Sequence, residues 1–161
     1  KYILQENNDR NSPVQWAHTR LSEIMLGYAE VLNEVNGRPN DEAYKMVNDV
    51  RARVGLSALP KTMNHDQFLE AVLKERALEL GFEEVRWFDL VRRDRQNDFK
   101  KTLYGLRSRG NDLHNPTAFT FEKVVLGDRY WKTNWDTKWY LAPIPQNEIN
   151  KKYGMTQNPG W

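Results

Sequence analysis

Residues able to do chemistry are densest between Glu75 and Leu90, which read ERALELGFEEVRWFDL. Glu75, Glu79 and Glu83 recur every four residues, a spacing that lines carboxylates along one face of a continuous helix, with Arg76 and Arg86 three residues from Glu79 and Glu83. Three chemistries use such a set. Carboxylates at helical spacing hold iron or manganese in helical bundles, but there a Glu-x-x-His motif adds nitrogen ligands. His18, His65 and His114 stand singly, away from these glutamates, so ligand type and number are wrong and no metal is expected. Acid–base work by two carboxylates needs environments that drive their pKa values apart. Glycoside hydrolysis further needs them open to solvent about 5 to 10 Å apart, and Phe82, Trp87 and Phe88 argue against that openness. The third chemistry is an ion-pair network. Ala77, Leu80, Val85 and Leu90 add apolar material on more than one side, and charge held among such groups needs internal partners. Glu75, Arg76, Glu79, Glu83, Arg86 and Asp89 are therefore expected to be structural, fixing how helices meet, with no catalytic residue among them.

A second stretch suits binding. Tyr130, Trp131, Trp135, Trp139 and Tyr140 alternate with Asp128, Asn134 and Asp136. Aromatic faces beside hydrogen-bonding groups match sugar rings, whose C–H patches stack while their hydroxyls bond to amides and carboxylates. Tyr130, Trp131, Asn134 and Trp135 are the candidate ligand-binding residues; Trp139 and Tyr140 run directly into Leu141–Ile149 and are expected to pack. Other classes are excluded by composition. The absence of cysteine removes disulfides, thiolate nucleophiles and Cys-type zinc sites. With 24 basic and 22 acidic side chains the net charge is +2, too balanced for a polyanion partner, so no nucleic acid is expected. Arg92, Arg93 and Arg95 are interrupted by Asp89, Asp94 and Asp98 and read as an ion-paired face. No apolar run approaches the ~18 residues of a membrane helix, and the start lacks an export signal's pattern.

The elements that must position these groups are mainly helical. A 161-residue chain with 39% apolar and 12% aromatic content supports one good core. Tyr2-Ile3-Leu4 suggests a short strand, followed to Pro13 by a turn-forming polar run. From about Val14 helical spacing takes over, through Trp16, Leu21, Ile24, Met25, Tyr28, Leu32 and Val35, until Asn36-Gly37 and Arg38-Pro39 stop it. Asn40 or Asp41 caps a second helix carrying Ala43, Met46 or Val47, Val50 and Val54, closed by Gly55. Residues 14–55 thus form a helix pair similar to a tetratricopeptide unit, and one such unit leaves an apolar face for a neighbour. Asn64 caps the next helix, whose Phe68, Leu69, Val72 and Leu73 lead into the charged stretch; residues 64–95 are the second helical block. Residues 100–161 form an excursion broken by Gly105, Gly110 and Asn115-Pro116, with one strand over Ala118–Val125 and an extended close fixed by Pro143 and Pro145. The expected fold class is mainly α: tetratricopeptide-like helix pairs plus an irregular C-terminal excursion with few short strands.

Three ordered motifs, RARVGLSALP from Arg51, ERALELGFEEVRWFDL from Glu75 and LAPIPQNEI from Leu141, with a final TQNPGW, resemble the SusD/RagB family of outer-membrane nutrient-binding lipoproteins. One departure is Glu84, where the family usually has a glycine that eases a turn. The resemblance covers the C-terminal part of much longer family members, and implies that residues 1–161 are a single C-terminal region of a longer chain. It implies, further, binding of oligosaccharide at the surface of the cell outer membrane for delivery to a SusC-like TonB-dependent transporter, without catalysis or cofactor. The remainder of the polypeptide is then a partner, and membrane attachment runs only through a lipid anchor absent from this chain. The alternative of a different class is a RagB-like helical-repeat module that binds peptide or protein.

Overall fold

The computed structural model describes residues 18–112, 117–127 and 130–161, the side chains of Tyr130 and Trp131 excepted. The strand expected at Tyr2–Leu4, the helix start at Val14, Trp16 and Asp128 lie outside the described residues. Contacts divide the chain into two compact units, Lys1–Arg86 and Trp87–Trp161.

In the first unit, local chemistry sets the helix ends. Helix α1 (Leu21–Asn36) stops at Gly37, whose φ of 65° is the left-handed conformation that glycine adopts without a Cβ clash. Helix α2 (Asp41–Ala52) is capped by Asn40, whose side-chain oxygen accepts from the Ala43 N–H at 2.8 Å. Helix α3 (His65–Glu79) opens on a full capping box: Asn64 accepts from the Gln67 N–H at 2.9 Å, and Gln67 accepts from the Asn64 N–H at 3.0 Å. Leu26 and Ala29 of α1, Ala43, Tyr44, Val47 and Val50 of α2, and Phe68 and Val72 of α3 make the core. Ala29 and Ala43, both fully buried, let the first two helices come close, as in a tetratricopeptide-like pair. Asn33 is also buried and donates to the His65 carbonyl at 3.0 Å, pinning the start of α3 to α1.

The buried face of α1 is not the whole stripe expected from spacing. Met25 and Leu32 pack against the core, whereas Leu21, Ile24, Tyr28 and Val35 are exposed, together with Val31. Helix α1 carries two apolar faces, and the one with small residues, Ala29 above all, is the one that meets α2.

The helix capped by Asn64 leads into the charged stretch as expected, and it ends there at Glu79, so Glu83 does not continue the helical face of Glu75 and Glu79. Leu80 caps it, and the chain turns with Phe82 at φ 65° and Glu84 at φ 62° before α4 (Val85–Arg92). Glu84 thus holds a left-handed backbone that costs a non-glycine residue ~1 kcal/mol. Glu84→Gly is expected to stabilise the protein by about 0.5–1 kcal/mol, part of the gain being lost to glycine's unfolded-state freedom. Urea denaturation would show it as a higher midpoint at unchanged slope, and a lower midpoint would mean that the Glu84 side chain has a bonding task.

In the second unit α4 is followed by α5 (Gln96–Lys100), a hairpin of β1 (Tyr104–Gly110) and β2 (Phe119–Val125), α6 (Tyr130–Asn134), a 3-10 turn at Thr137–Tyr140 and α7 (Gln146–Ile149). The strands pair antiparallel, with Tyr104 opposite Val125 and Gly110 opposite Phe119. One strand was legible and β1 was not, because Gly105 and Gly110 read as breaks. At Gly105 a Cβ would stand 2.8 Å from the Leu126 Cδ2, so a larger residue there would make that side chain shift.

Candidate functional site

The glutamates of the charged stretch take arginines from elsewhere in the chain. Arg20, the residue before α1, reaches Glu83 through Nε at 2.9 Å and Nη2 at 3.0 Å, the forked geometry that matches a carboxylate. Its Nη1 donates to Glu79 Oε1 at 2.9 Å and its Nη2 to the Glu79 carbonyl at 2.9 Å, closing the end of α3. Arg53 adds a bond to Glu79 Oε2 at 2.6 Å, and Arg51 one to Glu75 Oε2 at 2.7 Å. Glu75, Arg76 and Glu79 are buried. Arg76 donates to the Glu23 carbonyl and Arg86 to the Leu73 carbonyl, each at 3.4 Å. Burial works against the ionised Glu79, but the hydrogen bond from Arg20 and the charges of Arg53 and Arg20 outweigh it, so its pKa lies below the ordinary carboxylate value. Chemically this arrangement fixes α1, α2 and α3 to one another. Arg51 and Arg53 stand in the RARVGL motif and had a signal of their own; Arg20 had none.

Asp89 falls in the second unit, where it is buried and accepts from Arg92 Nη2 at 2.8 Å and Nε at 3.1 Å. Arg95 bonds Asp98 at 2.8 Å, and Lys101 bonds the other carboxylate oxygen. The basic cluster after Leu90 is thus an ion-paired face.

The aromatic residues of the second unit gather around Phe99, which is buried. The Trp135 ring stacks on it, centroids 4.0 Å apart and planes 7° from parallel, while Trp87 meets Phe99 edge-on at 4.9 Å and Tyr140 meets Trp135 at 5.2 Å. Burial first, and the Asp94 carboxylate after it, push the Tyr140 hydroxyl up to about 12. Of the candidate ligand-binding residues, Tyr130, Trp131 and Asn134 sit on α6. The Asn134 side chain is exposed and donates to the Thr133 hydroxyl at 3.0 Å. Trp135 follows the helix, half-buried in the ring cluster. Trp139 packs edge-on against Trp161 at 4.7 Å, and the Trp161 indole donates to the Lys138 and Leu141 carbonyls.

The chain's end is tied by a side-chain clasp. Pro143 and Pro145 offer no N–H, so the extended segment has few backbone donors for a ladder. Gln157 supplies what a strand would: its Oε1 accepts from the Ile144 N–H at 2.8 Å and its Nε2 donates to the Ile144 carbonyl at 2.9 Å. Asn158 adds a bond to the Ala142 carbonyl at 2.6 Å.

With this geometry in place, comparison with known proteins is specific. The SusD family model matches residues 1–161. SusD-like protein P2 of Formosa agariphila is 27% identical over 98% of this chain. A crystal structure of a SusD-like protein from Bacteroides fragilis is 31% identical over 94% of the chain, with a TM-score of 0.74. Surface glycan-binding protein A from Bacteroides uniformis is 28% identical over 91% of it, with a TM-score of 0.59. The chain spans 28% of P2, 27% of the Bacteroides fragilis chain and 28% of the Bacteroides uniformis one.

Proposed function

This chain belongs to the SusD family, and on that premise we propose that its protein captures a glycan at the outer-membrane surface and passes it to a SusC-like TonB-dependent transporter. The observation that carries the reading is the family match over all 161 residues. The likeness to a surface glycan-binding protein supports carbohydrate as the ligand. No helix among the described residues is long and apolar enough to cross a membrane, and attachment is assigned to a lipid anchor carried by the longer polypeptide. The role is binding, not catalysis: Glu75, Glu79 and Glu83 are bonded to arginines and serve the scaffold.

Contact with the glycan is assigned to Tyr130, Trp131, Asn134 and Trp135. Trp135, locked against Phe99, fixes the end of α6, so little freedom remains to be lost when a sugar docks on that helix. Trp131→Ala in the full-length protein is expected to weaken binding of a matched oligosaccharide by about 1–3 kcal/mol with unchanged thermal stability. Calorimetry would decide it. Equal affinity would remove α6 from the site, and binding of peptides in place of every oligosaccharide would favour the RagB-like alternative.

A further inference from the structure

Helix α1 is apolar on two opposite sides, and only one of them is covered among the described residues. At about 100° per residue, Leu26, Ala29 and Asn33 fall on the side that meets α2 and α3, and Leu21, Ile24, Tyr28, Val31 and Val35 fall on the side directly away from it. All five outer residues are exposed, Leu21 at 75% and Val35 at 78%. They follow one another at steps of three, four, three and four, the a/d pattern of a helix that packs along a second helix. Met25 and Leu32 fill one flank between the two sides, while Glu23, Glu30 and Glu34 share the other. A helix with so little polar surface belongs inside a larger body.

We propose that the outer seam of α1 seats another helix of the same polypeptide, from the part that lies beyond these 161 residues. Its relatives have the chain to supply it, since the matched region is 28% of P2 and 27% of the Bacteroides fragilis chain. A tetratricopeptide-like pair buries its faces by stacking on neighbours, and here α3 covers one side of α1 and leaves the other. The chemistry of the seam disfavours the other occupants. A sugar needs partners for its hydroxyls, and the polar group on the seam, the Tyr28 hydroxyl, already donates to Glu42 at 3.2 Å. An anionic membrane surface calls for cations beside the apolar stripe, and α1 contains no lysine or arginine. A second copy of the chain would set five side chains against five, well short of the roughly 20–30 residues a side of a stable dimer. A ligand peptide could use the same spacing of anchors, but a seam of Leu, Ile and Val without a charged group has the composition of a permanent interface, not of one that opens and closes. With its own helix seated there, the pair offers a peptide ligand no groove on that side.

The test puts a single thiol on the seam of the full-length protein, in a background without other free thiols; these 161 residues hold no cysteine. In Val31→Cys, maleimide should label the folded protein at least about a hundredfold more slowly than the protein in urea, because access then requires the covering helix to open. A benzophenone amino acid placed at Ile24 should cross-link, on illumination, to a peptide of the same polypeptide outside residues 1–161, identified by mass spectrometry. Labelling of folded Val31→Cys at the unfolded rate would overturn the proposal. So would an Ile24 cross-link that joins two copies, lands in residues 1–17, or goes to an added peptide. Neither readout involves a glycan, so the seam can fail while the glycan-binding reading stands, and the reverse.

Discussion

Arg20→Ala is expected to destabilise the protein by roughly 3 kcal/mol, the low end of the range for breaking a buried ion pair, because the Arg20 side chain is itself 29% exposed. The guanidinium makes four bonds, to both oxygens of Glu83, to Glu79 Oε1 and to the Glu79 carbonyl. Its removal leaves the Glu79 and Glu83 side chains, 8% and 17% exposed, with less counter-charge in a dry setting. Glu79→Ala should be milder, about 2 kcal/mol, since Arg20 keeps its fork on Glu83 and Arg53 opens to water. Arg20→Lys should rescue little, because an ammonium cannot make the fork. The sign with pH follows from Glu79. Its folded pKa lies below the ordinary 4.5, so its contribution is present above that value and lost as pH falls through the folded one. Urea denaturation at neutral pH and near pH 3 checks this: the gap between wild type and Arg20→Ala should narrow in acid. A gap under ~0.5 kcal/mol at neutral pH, the size of a surface pair, would mean that the network is solvated and positions nothing.

What was legible beforehand separates by range. Gly37 and the Asn40 and Asn64 caps act within a few residues, and each ends or starts a helix where its type predicts. The arginine partners act over distance: Arg20 lies 59 residues from Glu79, and spacing within the charged stretch could offer only Arg76 and Arg86. Helix α1 shows a different limit, since it carries apolar residues on two faces and periodicity cannot say which one meets α2. That choice is made by Ala29, through how near a helix can come. In the hairpin the signal was misread, because Gly105 breaks a strand by propensity yet lies inside this one, opposite Val124. The aromatic run was read by composition alone, and composition does not separate a ring that stacks on a sugar from one that stacks on Phe99.

Trp135→Ala is expected to cost the second unit about 2–4 kcal/mol, somewhat below the range for deleting a fully buried tryptophan because this residue is only partly buried. Part of the loss is burial and part is the stack on Phe99, where an aromatic pair contributes about 0.5–1.5 kcal/mol beyond area. Trp135→Phe keeps a stacking ring and should retain most of the stability. Tyr140 reports the change independently. Its hydroxyl is held up to about 12 chiefly by burial, so the folded state gains from a neutral Tyr140 below pH 10 and loses that gain as pH rises from 10 toward 12. Removing the Trp135 ring opens Tyr140 to water, and its titration should fall back toward 10, read by phenolate absorbance. If Trp135 contacts sugar and packs as well, Trp135→Phe should weaken glycan binding at nearly normal stability, while Trp135→Ala lowers both affinity and stability. A Trp135→Ala protein with wild-type unfolding and an unmoved Tyr140 would show that the ring cluster bears no packing load, and the firm seat that α6 has in the binding proposal would go with it.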